Sequence, residues 1–177
     1  MQPPNNILIV RFSSLGDVAL SAVVVPDLKR AFPRSRISLL TKAAYQELFQ
    51  GRSVFDEILA LRPGEGVAAL SQRLKERSFD LILDLHGNLR SRILRLLLPS
   101  PRWEASPREI WRRRLLVYAK LQAGRPHKPV TERYLDVLQK LGIPPENRLP
   151  RIPVPAEGAS QDDPGLNDLP QLSLIHI

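Results

Sequence analysis

Cysteine is absent from the 177 residues, which removes disulfides, thiolate metal sites and a cysteine nucleophile together. Histidine is nearly as scarce, with three in the chain, so no histidine-built metal centre and no metal ligands are expected. Aromatic residues make up 6%, too few for the stacking platforms that single-stranded nucleic acids use. No stretch approaches the roughly 18 consecutive apolar residues of a membrane-spanning helix. Pro3 and Pro4 precede only a short apolar run at Ile7 to Val10, so export by a signal peptide is not expected. Neither a Gly-x-Gly-x-x-Gly fingerprint nor a Gly-Lys-Ser/Thr phosphate loop occurs, which argues against a dinucleotide oxidoreductase and a nucleoside triphosphatase. Any chemistry must come from oxygen and nitrogen groups.

Acidic residues are in the minority, 18 against 26 Lys and Arg, for a net charge of +8. The excess is concentrated: Arg90 to Arg133 holds ten Arg and two Lys against three Glu, so this stretch alone carries +9. An anionic partner is implied, and arginine's planar fork suits phosphate and carboxylate. Solvated helix faces would give the same composition.

The chain reads as alternating strand and helix. Ile7 to Val10 is a β-branched apolar run entering a Ser-Ser-Leu-Gly turn. A helix follows through Val18, Leu20, Ala22, Val25 and Leu28, interrupted or kinked at Pro26. Strands are expected at Ile37 to Thr41, Glu57 to Leu61 and Phe79 to Leu85, with helices at Ala43 to Phe49 and about Val67 to Arg77. Past Asn88 a helix carries Leu89, Ile93, Leu96 and Leu97 on one side and Arg90, Arg92 and Arg95 on the other. Further helices are expected at Pro107 to Leu121 and Thr131 to Leu141, the latter closed by Gly142. From Pro144 onward proline, glycine and aspartate give linker composition. The βαβα alternation predicts an α/β fold, a doubly wound parallel sheet whose ligands sit beyond the carboxyl ends of its strands.

Two strand-end loops carry the candidate chemistry. In Arg11-Phe-Ser-Ser-Leu-Gly-Asp17, the residues Ser13, Ser14 and Gly16 offer hydroxyls and backbone N–H groups at a helix start, with Asp17 beside them. Ordinary capping uses the same residues, Ser14 as N-cap and Asp17 three positions on. In Asp84-Leu-His-Gly-Asn-Leu-Arg-Ser91, Gly87 permits a tight turn while His86, Asn88, Arg90 and Ser91 supply donors. If the first and fourth strands are neighbours, both loops face one crevice.

Ile7-Leu-Ile-Val-Arg-Phe-Ser-Ser-Leu-Gly-Asp-Val18, the strand Phe79 to Asp84 and Gly87-Asn-Leu-Arg-Ser91 together resemble the bacterial lipopolysaccharide heptosyltransferases. His127 and the Glu132 to Gly142 segment are similar to a later part of that family's N-terminal domain. The resemblance spans about residues 6 to 155. It implies a Rossmann-like, acceptor-binding N-terminal half (1–155) of a two-domain GT-B glycosyltransferase and an interdomain linker at 156–171; separately, Leu172-Ser-Leu-Ile-His-Ile177 resembles adapter sequence read through as coding sequence, so 172–177 is expected to be a non-native tail. The family resemblance implies inverting transfer of heptose from ADP-heptose to the inner core of lipopolysaccharide, without a cofactor. Asp17 matches the general base, Ser14 and Gly16 its supporting loop, and Arg90 with Ser91 a pair on the acceptor side. His86 stands where many relatives carry Gln. The donor site is expected in a C-terminal domain missing here, so the chain reads as a truncated fragment without turnover of its own. The implied partner is an acidic inner-core acceptor, with peripheral contact at the cytoplasmic face of the inner membrane and no specific nucleic acid. The alternative from another class is a non-enzymatic basic module binding nucleic acid or anionic membrane.

Overall fold

The computed structural model describes residues 3–49, 52–106, 128–146 and 149–150. Five parallel strands form one sheet in the order β3-β2-β1-β4-β5: β1 (Asn6–Val10), β2 (Arg36–Lys42), β3 (Glu57–Leu61), β4 (Leu81–Asp84) and β5 (Arg102–Ala105). The expected α/β class and doubly wound parallel sheet are observed. The strand order reverses direction between β1 and β4, which pair with Val10 opposite Asp84. That reversal opens a crevice at the carboxyl ends of the strands, the usual place for a ligand in this architecture.

β1 is buried on both faces, which is why its sequence shows no alternation. Ile7 and Ile9 point to one layer with Val18, Val23, Leu28, Tyr134 and Leu138. Leu8 and Val10 point to the other, with Leu40, Leu70, Leu74 and Leu94. The first layer holds α1 (Leu15–Leu20), a 3-10 turn at Ser21–Val24, α2 (Val25–Ala31) and α5 (Val130–Lys140). The second holds α3 (Val67–Lys75) and α4 (Leu89–Leu97).

The break expected at Pro26 is present as the 3-10 turn between α1 and α2, with proline in the first turn of α2, where its missing N–H costs nothing. Ala43–Phe49 winds as a 3-10 helix. α5 ends as its glycine foretells: Gly142, at φ +77°, donates to the Gln139 carbonyl and Ile143 donates to that of Leu138, both at 3.0 Å. The 144–146 segment is fastened to α2, since buried Asp27 accepts the Glu146 N–H and pairs with Arg30.

Two features differ from the sequence reading. β5 is an additional short strand, half-buried, that extends the sheet beyond β4. On α4 the buried positions are Ser91 and Leu94, followed by Leu98, while Leu89, Ile93, Leu96 and Leu97 face outward. A helix with two apolar sides does not declare from sequence which one is packed. The helix expected at 107–121, the linker at 156–171 and the tail at 172–177 lie outside the described residues.

Candidate functional site

The site is the pair of loops that leave β1 and β4 at the crevice. Hydrogen bonds carry the sheet one residue past each strand: Arg11 N–H donates to the Leu40 carbonyl at 2.9 Å and Leu85 N–H to that of Val10 at 3.1 Å. The chain then turns outward on both sides, bringing the Arg11 to Asp17 and Leu85 to Asn88 segments together.

Arg11 ties the loops. Its Nη1 donates to the Leu85 carbonyl at 2.6 Å and its Nη2 forms an ion pair with Asp17 Oδ2. The guanidinium lies 5.7 Å from the ring centroid of Tyr134 on α5, within cation–π range. With 14% of its side chain exposed, Arg11 is a largely desolvated charge whose partner must be near, and Asp17 is that partner.

Asp17 is held by one oxygen. Oδ2 takes Arg11, the Ser14 N–H at 3.4 Å and the Ser14 hydroxyl at 3.2 Å. Among the described residues nothing donates to Oδ1. Ser14 is extended and caps α1, accepting Val18 N–H on its carbonyl at 2.9 Å. Gly16 is exposed, and a Cβ built there would meet nothing within 4 Å, so the approach to this loop is open. Ser13 is half-buried beside it.

The second loop is shaped from beneath by Asp84. Its Oδ1 accepts the N–H groups of His86 and Gly87 at 2.9 and 2.8 Å, and its Oδ2 accepts the Ser91 hydroxyl at 2.6 Å. Gly87 sits at φ +62°, a backbone that other residues rarely adopt. Asn88 caps α4 through Oδ1, which accepts Ser91 N–H at 2.9 Å. Ser91 is fully buried and its hydroxyl is committed to Asp84 and to the Asn88 carbonyl. It therefore supports the loop from below, whereas Arg90 is exposed and makes no ion pair among the described residues.

His86 packs edge-on against Phe12, with ring centroids 5.3 Å apart. Its Nδ1 is buried without a hydrogen-bond partner among the described residues. Burial, with the Arg11 charge second, pulls its pKa from 6.5 down to about 4, so the ring is neutral at pH 7. The hydroxyl of Tyr134 is likewise buried and unpartnered, and burial pushes its ionisation upward. The crevice thus offers an open carboxylate oxygen, a neutral imidazole and exposed loop backbone. No group of three metal-ligating side chains occurs among the described residues.

The structure brings together Ser13, Ser14, Gly16 and Asp17 with His86, Gly87 and Asn88, leaving Arg90 on the adjoining helix surface and Ser91 under the loop. Sequence reasoning did not single out Arg11, Asp84 or Tyr134. Arg11 and Asp84 each end a strand of the switch point, and a charged residue closing an apolar strand was the available signal. Tyr134 had none, since a tyrosine on an apolar helix face reads as core.

No family model and no curated protein sequence matches the chain. Solved structures do. The glycosyl transferase family 9 protein from Veillonella parvula DSM 2008 aligns with a TM-score of 0.66 at 18% identity, over 85% of this chain and 45% of that one. E. coli ADP-heptose lps heptosyltransferase II aligns at 0.60 and 20% identity, over 84% and 46%. E. coli heptosyltransferase WaaC with ADP aligns at 0.59 and 19%, over 79% and 48%. The chain has the Rossmann-like, GT-B type fold of these structures and spans about half the length of each.

Proposed function

We propose that this chain is the acceptor-binding half of an inverting glycosyltransferase that moves heptose from ADP-heptose to the inner core of lipopolysaccharide, with Asp17 as general base. The observation that carries the reading is the state of Asp17. A base needs a fixed carboxylate with a free oxygen facing the reactant, and Oδ2 is anchored by Arg11 and Ser14 while Oδ1 accepts nothing among the described residues. The fold shared with the heptosyltransferase structures supports the reaction class.

In this scheme an acceptor hydroxyl enters over Gly16 and gives its proton to Asp17 Oδ1 as its oxygen attacks the anomeric carbon. The bond to the ADP oxygen breaks on the opposite face, so the configuration inverts. Arg11 is a positioning residue: it fixes the carboxylate without touching substrate. Arg90 holds an acidic group of the acceptor from the rim. The donor diphosphate is held by a second domain, so the 177-residue chain binds acceptor but does not turn over.

The test has two parts. Titration of a deacylated inner-core acceptor into the 177-residue chain should shift the backbone resonances of Gly16, Gly87 and Asn88, and Arg90→Ala should weaken binding at low salt. In the protein that carries both halves, Asp17→Asn should lower turnover by roughly 10²–10⁴-fold with little change in acceptor affinity. A loss under about threefold would return Asp17 to helix capping alone.

A further inference from the structure

The carboxyl edge of the sheet carries a second row of side chains, on the face opposite Arg11. The register that sets Val10 beside Leu40 and Asp84, carried two residues on, places Phe12 between Lys42 and His86. Alternation along the strands turns all three toward the α3 and α4 layer, where Leu40, Val10 and Phe12 are packed, whereas Arg11 turns to Tyr134 on the other side. The Phe12 and His86 rings touch, with centroids 5.3 Å apart. Lys42 closes β2, is exposed, and forms no hydrogen bond or ion pair among the described residues. Its charge is nevertheless felt at His86, together with those of Arg11, Asp84 and Asp17. Those three are engaged: Arg11 with Asp17, and Asp84 by two N–H groups and the Ser91 hydroxyl. Glu65, the acid just ahead of α3, is held by Arg73. Lys42 is thus an uncompensated cation beside a neutral ring, one strand, or about 5 Å, from the strand that carries the Asp17 loop.

We infer that Lys42 and His86 form an anion subsite on the α3 and α4 side of the crevice, taking a phosphate or carboxylate of the acceptor while Asp17 takes the proton from the other side. The ammonium supplies the charge and the neutral imidazole a hydrogen-bond donor. This is a second point of attachment, distinct from Arg90. The strand order puts Lys42 and the start of α4 on opposite sides of β1, with β2 and β4 about 10 Å apart. The Asp17 loop lies between the two cations, and two anchors fix the orientation of a sugar where one leaves it free to turn. Lys42 lies outside the motifs that carry the family resemblance, so the subsite is a property of this chain's own residues. The inference rests on the acceptor reading of the crevice and adds to it the side from which the acceptor is held. His86 also reports on the site. Burial first, then the charges of Arg11 and Lys42, hold its pKa at about 4 against the pull of Asp84 and Asp17; an anion at Lys42 cancels one of the opposing charges, so the pKa must rise.

An NMR titration of the 177-residue chain follows the His86 ring, identified by its loss in His86→Gln. Inorganic sulfate, at an ionic strength matched with chloride, should raise the His86 pKa by about 0.5 or more. Lys42→Met should raise it by a similar amount without sulfate and abolish the response to sulfate, whereas Lys42→Arg should behave as the wild type. The deacylated inner-core acceptor should act on His86 as sulfate does, and ADP should leave it unmoved. Acceptor affinity at low salt should fall about fivefold in Lys42→Met and change little in Lys42→Arg. Lys42 is exposed, and unchanged thermal unfolding verifies that both variants fold. A His86 pKa blind to sulfate and acceptor in the wild type, or equally responsive in Lys42→Met, would overturn the inference. So would a response to ADP alone. Acceptor bound equally by the wild type and Lys42→Met would leave Lys42 a solvated strand end and the transfer reading intact. A sulfate response that Lys42→Met abolishes, in a chain that binds no acceptor, would defeat the proposed function and leave the anion subsite standing.

Discussion

Removing Arg11 tests the organisation of the crevice more directly than removing any group thought to touch a ligand. Arg11→Met keeps the length and apolar stem and deletes the fork. Three interactions go with it. The charge-assisted bond to the Leu85 carbonyl is part-buried at 2.6 Å, and bonds of that kind contribute about 1.5–3 kcal/mol. The ion pair with Asp17 is worth about 1 kcal/mol, because the Asp17 side chain is 27% exposed and water screens part of the attraction. The contact with the Tyr134 ring adds about 0.5–1 kcal/mol. Desolvation of the guanidinium opposes all three, so the expected loss is about 2–3 kcal/mol. Urea unfolding of the 177-residue chain at pH 7 reads this as a lower midpoint at constant slope. A cycle with Asp17→Ala, which removes the carboxylate altogether, isolates the pair, with an expected coupling of about 1 kcal/mol. A loss under about 0.5 kcal/mol, or no coupling, would refute the reasoning that Arg11 ties the two loops and anchors Asp17.

Acid should act through His86. Its folded pKa, about 4, lies below the unfolded 6.5, so its contribution is intact above pH 6.5 and is lost as pH falls toward 4. The full shift at pH 5 would cost about 2 kcal/mol; partial solvent screening reduces this to about 1. His86→Gln should flatten that part of the stability profile, and identical pH 7 to pH 5 losses in both proteins would exclude His86 as the cause. Asp84→Ala leaves the His86 and Gly87 N–H groups and the Ser91 hydroxyl without their acceptor. It should cost about 3 kcal/mol or more by urea unfolding, with amide exchange at Gly87 rising, whereas a loss near zero would mean that water replaces the carboxylate.

The sheet was legible because its signals are local. Continuous apolar runs at Ile7 to Val10 and Phe79 to Leu85, turn residues after each, and the proline inside the first helix set strands, loops and the break with little help from tertiary context. The expectation that the first and fourth strands are neighbours holds, since β1 pairs with β4. β5 escaped because four half-buried residues after Pro101 carry no periodicity; their strand character comes from the edge of β4. The packing of α4 escaped for a different reason. Ser91 is among its buried positions because Asp84, seven residues earlier, satisfies its hydroxyl, and a hydropathy pattern counts serine as outward. The contact of Arg11 with Leu85 joins positions 74 apart, a pairing that exists only once the sheet has formed.

Capping and proton abstraction compete for Asp17 when the sequence is read, because both call for a carboxylate three residues after Ser14. In the folded chain the cap and the proposed base would use different oxygens. Oδ2 faces Ser14 and Arg11 and does the work of a cap, while Oδ1 accepts nothing among the described residues. The two roles are therefore compatible, and Asp17→Asn separates them. An asparagine with its carbonyl oxygen in the Oδ2 position still accepts from Ser14 and Arg11, so the helix start and the loop survive. The amide NH₂ then occupies the Oδ1 position, presenting a donor where an incoming hydroxyl requires an acceptor. Retained stability together with lost turnover would place the base at Oδ1. Retained stability with retained turnover would leave the crevice without its proposed proton acceptor.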